Sequence, residues 1–368
     1  MMEISKIEIY KSPIKLKKPF VISLGEMKYA DNIIVKIYTN TGLEGIGECS
    51  PFLPINGESI DTCFVVGQYL ASVLKGQNPL DIAHCSSEMD RTIYGNTSIK
   101  SAFDIAIYDI ASQEAKLPLY QFLGAKKTRV LKTDYTVSIG DAIHMAADAV
   151  DIKERGFEVI KVKLGKNGKE DVKRIKAIRE AVGMQIPLRL DANQGWTVTE
   201  AIETLQALAS YNIQHCEEPI PRWQFMALPK VKNESPIPIM ADESCLDHHD
   251  AMRLIALKAC DAINIKLGKS SGIFKALKII KEAEKAGVAL QIGGFLESRI
   301  GFTAAAHLAM TSSSVKYIDF DTPLMFKEDP VLLGMTYSEN GAIYLGKEIG
   351  LGVKVKTEYL ESLERIVI

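Results

Sequence analysis

Five β-like runs in this chain each end in a charged residue, at nearly constant spacing, and this recurrence constrains the fold more than any other feature. They are Val159-Ile160-Lys161-Val162-Lys163-Leu164, Leu188-Arg189-Leu190-Asp191, Ile213-Gln214-His215-Cys216-Glu217, Ile237-Pro238-Ile239-Met240-Ala241-Asp242 and Ala262-Ile263-Asn264-Ile265-Lys266. The steps from Lys161 to Asp191, Glu217, Asp242 and Lys266 are 30, 26, 25 and 24 residues, the length of a strand plus a helix. Such a repeat builds a parallel α/β sheet. When the strands close into a ring, their carboxyl ends share one face, and ionisable residues recurring there read as catalytic. Extended chain alternates its faces, so Lys161 and Lys163 point one way while Val162 and Leu164 point the other. The pattern therefore sets lysines on two sides of three carboxylates.

The 368 residues exceed the roughly 250 of an ordinary barrel and leave material for an appendage. Ahead of the repeat, Ile4 to Tyr10, Asn32 to Tyr38 and Leu43 to Glu48 read as three strands, the last two joined by a turn at Asn40-Thr41-Gly42. Phe20 to Ala30 and Ser50 to Gly57 are loop-like by their Pro and Gly punctuation, yet carry Phe20, Phe52, Leu53 and Ile55. These apolar loop residues are either ordinary packing or a lid that excludes water from a substrate. Helices follow near Ser59 to Leu74, Pro79 to Ile93 and Ser98 to Ala115, with a short one from Pro118 to Gly124. Residues 1–124 thus read as an α+β unit and residues 125–324 as the barrel. The first barrel strand is expected at Leu131 to Ile139, with Thr136 and Ser138 sharing a face. The seventh runs from Val288 into Gly293-Gly294-Phe295-Leu296, and the eighth from Val315 to Asp319-Phe320-Asp321. No eighth barrel helix is visible, and the tail, 325–368, is expected to return and complete the amino-terminal unit.

Basic and acidic side chains number 44 and 46, a balance that argues against a nucleic-acid partner and for a small molecule. The six cysteines form no C-x-x-C pair and read as reduced, packed thiols. The amino terminus lacks a signal-peptide core, and no run approaches the 18 or so apolar residues of a membrane span, so a cytoplasmic protein without a membrane partner is expected.

A single strand-end Asp is often a helix cap, and Glu217-Glu218-Pro219 alone reads as a solvated turn. As a set on consecutive strand ends, Asp191, Glu217 and Asp242 would repel one another unless protons or a cation intervened. Three oxygen ligands without a thiol suit a hard cation, magnesium first and manganese as its substitute. His215 reads as interior packing, and Cys216 as facing the helices.

Lys161-Val-Lys163, Asp191-Ala-Asn193, Glu217-Glu-Pro219, Asp242-Glu243-Ser244 and Lys266 together resemble the muconate-lactonizing-enzyme subgroup of the enolase superfamily, over nearly the whole chain. The resemblance implies a modified (β/α)7β barrel of the TIM type under an α+β capping domain, with one magnesium ion per subunit on Asp191, Glu217 and Asp242. It also implies that Lys163 and Lys266 flank a carbon alpha to a carboxylate, one removing the proton and the other returning one, while Lys161 helps hold the enolate oxygen. The base must be a neutral amine, which cationic neighbours or burial favour by lowering a lysine's pKa. Asp319-Phe320-Asp321 resembles the eighth strand of dipeptide epimerases, whose two Asp residues receive the substrate's ammonium group. Gly294, Phe295 and Leu296 would line the dipeptide backbone, with Thr136 among the substrate contacts. Where Ala-Glu epimerases carry an Arg in the first cap loop, this chain has Gly25, so a Glu side chain would lose its bidentate partner. The expected activity is epimerisation of Ala-X at its second alpha carbon, with X small or neutral, as in Ala-Ala. Ala-Glu epimerisation, a dehydration like that of succinylbenzoate synthases and a non-catalytic acid-binding barrel are the alternatives. A homo-oligomer is left open.

Overall fold

A computed structural model describes all of residues 1–368. Eight barrel strands appear in chain order, Tyr135–Val137, Ile160–Lys163, Leu188–Asp191, Ile213–Glu217, Ile239–Ala241, Ala262–Lys266, Ala289–Gly293 and Val315–Ile318. Each pairs in parallel with the next. Seven connections are helical, among them Ala142–Glu154, Gly168–Val182, Ile273–Ala286 and Arg299–Ala309, while the eighth strand is followed only by the four residues Thr322–Met325. This is the (β/α)7β barrel. Its apolar residues Val162, Leu164, Leu190 and Cys216 are buried in one core cluster, which leaves the alternate positions for the barrel interior.

The ladder runs from the first strand to the eighth but does not close between them. Across this seam the Asp134 amide donates to the Ile318 carbonyl at 3.4 Å, and the Phe320 amide to Thr133 Oγ1 at 2.8 Å. The expected first strand, Leu131 to Ile139, is accordingly two pieces. Leu131–Lys132 pairs antiparallel with Ala342–Tyr344 of the tail, and only Tyr135–Val137 joins the barrel. Thr133 and Asp134 interrupt it because their side chains are taken by Phe320 and by Arg189.

The cap is a four-stranded antiparallel sheet in the order Arg365–Val367, Ile4–Ile22, Gly25–Thr39, Glu44–Cys49. The tail's last strand completes it, whereas the middle of the tail pairs with itself and with Leu131–Lys132. Phe20 to Ala30, expected as a loop, is a paired hairpin arm with Phe20 opposite Met27 and Ile22 opposite Gly25. Gly25 suggested a loop, but it pairs directly opposite Ile22, and Pro19 just ahead falls in a register shift between Lys15 and Phe20, where the ladder lapses and a missing N–H costs nothing. The helix Thr97–Glu114 lies directly on Glu44–Cys49. A Cβ on Gly45 or Gly47 would come within 2.1 or 2.0 Å of helix carbonyls, so only glycine permits this approach. Ser50 to Gly57 contains one turn of helix, Leu53–Asn56, ended by Gly57 at φ +74°.

Buried carboxylates fasten cap to barrel. Glu48 accepts from the amides of Ser298 and Gly301 at 3.0 and 2.9 Å, at the start of the helix Arg299–Ala309. Asp104 accepts from the Ile273 amide at 2.5 Å in the same way. Asn32 donates to the Leu296 carbonyl at 2.9 Å, which ties the cap to the segment after the seventh strand. All six cysteines are buried and free. No helix is long and apolar enough to cross a membrane.

Candidate active site

Strand register assembles the charges in layers. Lys163 lies opposite Asp191, and Asp191 opposite Glu217, while Lys161, Arg189 and His215 align one layer deeper. Asp191, Glu217 and Asp242 are fully buried, each with an oxygen within 4.8 Å of the others. Four ammonium groups face them. Lys163 is 2.6 Å from Asp191, Lys161 is 3.1 Å from Asp191 and 2.6 Å from Glu217, and Lys266 and Lys269 are 2.6 and 2.5 Å from Asp242. Burying a charge costs several kcal/mol, so a cluster of this density holds only where opposite charges are matched.

Burial pushes the Asp191 carboxyl up, but Lys163, Lys161 and Lys266 outweigh it and hold it well below the usual range. Asp242 is held down in the same way by Lys266 and Lys269. Glu217 is pushed up to about 7, chiefly by burial, against the pull of Lys161 and with the push of Asp191 and Asp242. Lys266 departs from the expected lowering. Burial presses Lys266 down, yet Asp242 and Glu217 hold its ammonium form well above its ordinary value. A neutral base therefore needs a competing cation on the carboxylates.

The triad fits such a cation. Both Asp242 oxygens are buried and accept no hydrogen bond, because Lys266 and Lys269 approach off the hydrogen-bonding directions. The three ligands are hard oxygens without a thiol, as a magnesium site requires. Three further residues shape it. Glu218, in the left-handed region at φ +35°, accepts from the amides of Asp242 and Ser244 at 2.7 and 3.1 Å and so fixes the fifth strand end. Asn264 and Gln291 donate to Glu217 Oε1.

Lys163 and Lys266 both line one cavity of about 40 Å³, from the second and sixth of the eight strands and hence from opposite walls. An aromatic ring lies beside each, Phe20 at 5.8 Å and Phe295 at 4.9 Å. Thr136, Gly294, Phe295, Leu296, Asp319 and Asp321 line the same cavity, and the cap covers it with Phe20, Ile22, Met27, Phe52 and Ile55. Asp319 accepts from Lys161 at 2.7 Å, while Asp321 accepts from the Thr136 amide at 2.7 Å. Burial pushes both carboxyls up. Lys161 and Lys163 bring Asp319 below its ordinary value, whereas Asp319 itself helps push Asp321 up to about 7.

Leu53, expected at the substrate, is 63 % exposed and does not reach the cavity, because the turn Leu53–Asn56 aims Ile55 inward in its place. His215 packs edge-on against Tyr317 with both ring nitrogens unbonded, below the triad and outside it. The roles of Asp134, Arg189, Asn264, Lys269 and Gln291 escaped the strand-end pattern. Period-2 alternation would have found Arg189 and Asn264, two residues before Asp191 and Lys266 and on the same faces.

Residues 4–124 match the model of the mandelate racemase / muconate lactonizing enzyme N-terminal domain, and residues 144–359 the enolase C-terminal domain-like model. A D-Ala-D/L-Ala epimerase of Cytophaga hutchinsonii is 58% identical over 100% of both chains. The crystal structure of a dipeptide epimerase from Cytophaga hutchinsonii, complexed with Mg and D-Ala-L-Val, superposes with TM-score 0.99 at 57% identity over 100% of both chains. That of an N-succinyl Arg/Lys racemase from Bacillus cereus follows at TM-score 0.96 and 34% identity, again over 100% of both chains. With both of its halves matched and its lysines and carboxylates on successive strand ends, the chain belongs to the muconate-lactonizing-enzyme subgroup of the enolase superfamily.

Proposed function

We propose that this protein is an isomerase that inverts the alpha carbon of the carboxy-terminal residue of a dipeptide, with Ala first and a small or neutral residue second. The observation that carries the reading is the single cavity with Lys163 and Lys266 on opposite walls and two aspartates, Asp319 and Asp321, lining it as well. A substrate with a free amino terminus and a carboxylate, separated by one peptide unit, matches that layout. In this reading Lys163 and Lys266 exchange protons with the alpha carbon from its two faces, and Lys161 holds the oxygen on which charge develops. Asp319 and Asp321 receive the ammonium group, and Gly294, Phe295 and Leu296 lie along the peptide. Asp191, Glu217 and Asp242 would hold magnesium, which supplies positive charge for the carboxylate of a substrate about to lose an alpha proton. The units 1–124, 125–324 and 325–368 serve as cap, barrel and returning tail.

The cap supports the neutral second residue. Its lining residues, Phe20, Ile22, Met27, Phe52 and Ile55, are all apolar, and Gly25 sits at the hairpin tip with open space around it. The relative in complex with D-Ala-L-Val holds a dipeptide of this kind. A dehydration would leave Asp319 and Asp321 without a task. The test is solvent-deuterium uptake and kcat/KM for Ala-Ala, Ala-Val, Ala-Glu and N-acetyl-Ala-Ala with magnesium supplied. Ala-Ala and Ala-Val should lead Ala-Glu by about tenfold or more, the scale of a lost polar partner. Preference for Ala-Glu would overturn the reading of the cap, and equal use of the acetylated compound that of the ammonium subsite.

A further inference from the structure

The three carboxylates Asp134, Asp319 and Asp321 have oxygens within 4.8 Å of one another, all buried, at the seam where the barrel ladder is open. Asp319 and Asp321 line the cavity; Asp134 does not, being wholly buried behind them. Its Oδ2 accepts from Arg189 Nη1 at 2.7 Å, and the same nitrogen donates to the Ile318 carbonyl at 2.9 Å. One guanidinium thus grips both sides of the seam, while its Nε donates to Gln214 at 2.9 Å. Asp134 Oδ1 is buried and accepts nothing.

Charge matching at this seam is incomplete. Arg189 serves Asp134, and Lys161 serves Asp319 but is shared with Asp191 and Glu217. Asp321 has only the Thr136 amide. A buried carboxylate oxygen without a donor is costly, and a cation entering beside it relieves the repulsion of its neighbours.

We propose that Asp134, clamped by Arg189, is the positioning residue of the ammonium subsite: it sets the seam on which Asp319 and Asp321 stand and adds the third carboxylate that makes this end of the cavity select a cation. The proposal rests on the dipeptide reading above. It acts through Asp319 and Asp321, so its signature lies in selection of the free amine rather than in proton transfer.

The test compares Asp134→Asn with the unchanged protein, both loaded with magnesium. The readouts are kcat and KM for Ala-Ala and the inhibition constant of N-acetyl-Ala-Ala, with the melting temperature as a control for folding. The KM for Ala-Ala should rise about tenfold, as expected for losing one nearby charge, with kcat nearly unchanged and the inhibition constant unmoved. An unchanged KM, or a KM and inhibition constant that rise together, would overturn the proposal. Should Asp134→Asn not fold, Arg189→Lys decides by the same readouts, since it keeps the cation but loses the grip on both sides of the seam. Asp319→Asn and Asp321→Asn run alongside. If they abolish selection of the free amine and Asp134→Asn does not, the proposal alone fails. If none of them alters it, the dipeptide reading fails with it.

Discussion

Lys163 reaches the cavity from the end of a barrel strand that is paired on both sides, with Asp191 opposite it in the ladder and 2.6 Å from its nitrogen. Met27 reaches the same cavity from the arm of the cap hairpin, opposite Phe20 and two residues from the turn at Gly25, among apolar neighbours. The barrel fixes its groups through strand register and opposed charge, both of which tolerate almost no displacement. The cap meets the cavity with side chains that only fill space. Chemistry set by geometry belongs on the first kind of support, and discrimination of a side chain on the second, because a change in packing alters selectivity without moving the reacting groups.

The strongest way to break this division is to remove the two lysines proposed as bases. Lys163→Ala and Lys266→Ala should each lower net epimerisation by about 10²- to 10⁴-fold, the usual worth of a general acid or base. Each should still exchange the alpha proton of one epimer, because the other lysine remains on the opposite wall. Proton NMR in deuterium oxide, begun from each pure epimer, reads this directly. Undiminished epimerisation in either variant would end the two-base scheme.

A cap substitution should act differently. Met27→Arg places a cation among the apolar residues of the wall and should cut kcat/KM for Ala-Val by about 10- to 200-fold while raising that for Ala-Glu, the range of discrimination one pocket group supplies. Deuterium exchange on the substrate that still binds should persist. If instead exchange is lost for every dipeptide, the cap takes part in the chemistry and the division drawn above is wrong.

The same contrast governs what was legible in the sequence. The barrel's charged strand ends stood out because period-2 alternation and a steady strand-plus-helix repeat leave a mark in the order of residues. Asp191, Glu217 and Asp242 converge as that pattern required. The cap hairpin left no such mark, since Gly25 imitates a loop until the pairing of Phe20 with Met27 is seen. Leu53 and Ile55 differ only in which way one turn of helix aims them, a matter of tertiary packing. Asp134 was hidden because it lies in the break between two short strand pieces, where no alternation shows, and its partner Arg189 lies 55 residues away.

The smallest expected effect separates two ways of holding a carboxylate. Asp191 in the barrel is held ionised by ammonium groups and is wholly buried. Glu8 in the cap is served by the neutral hydroxyls of Tyr10 and Tyr38, both at 2.6 Å, and by Lys6 at 3.1 Å. Burial pushes the Glu8 carboxyl up, yet these donors bring it down to about 2. A carboxyl with a lowered folded-state pKa adds stability that is complete above its unfolded value near 4.5 and is lost as the pH falls through about 2. Glu8 borders a cavity of about 560 Å³, where solvent screens the interaction, so the contribution is about 1 kcal/mol rather than the full value of the shift. The stability gap between the unchanged protein and Glu8→Gln should therefore be constant from pH 7 down to about 5 and shrink by about that amount towards pH 2. Urea unfolding at stepped pH measures it. A gap that stays constant to pH 2 would mean that the tyrosines serve the amide as well as the carboxylate, and that Glu8, unlike Asp191, owes nothing to its charge.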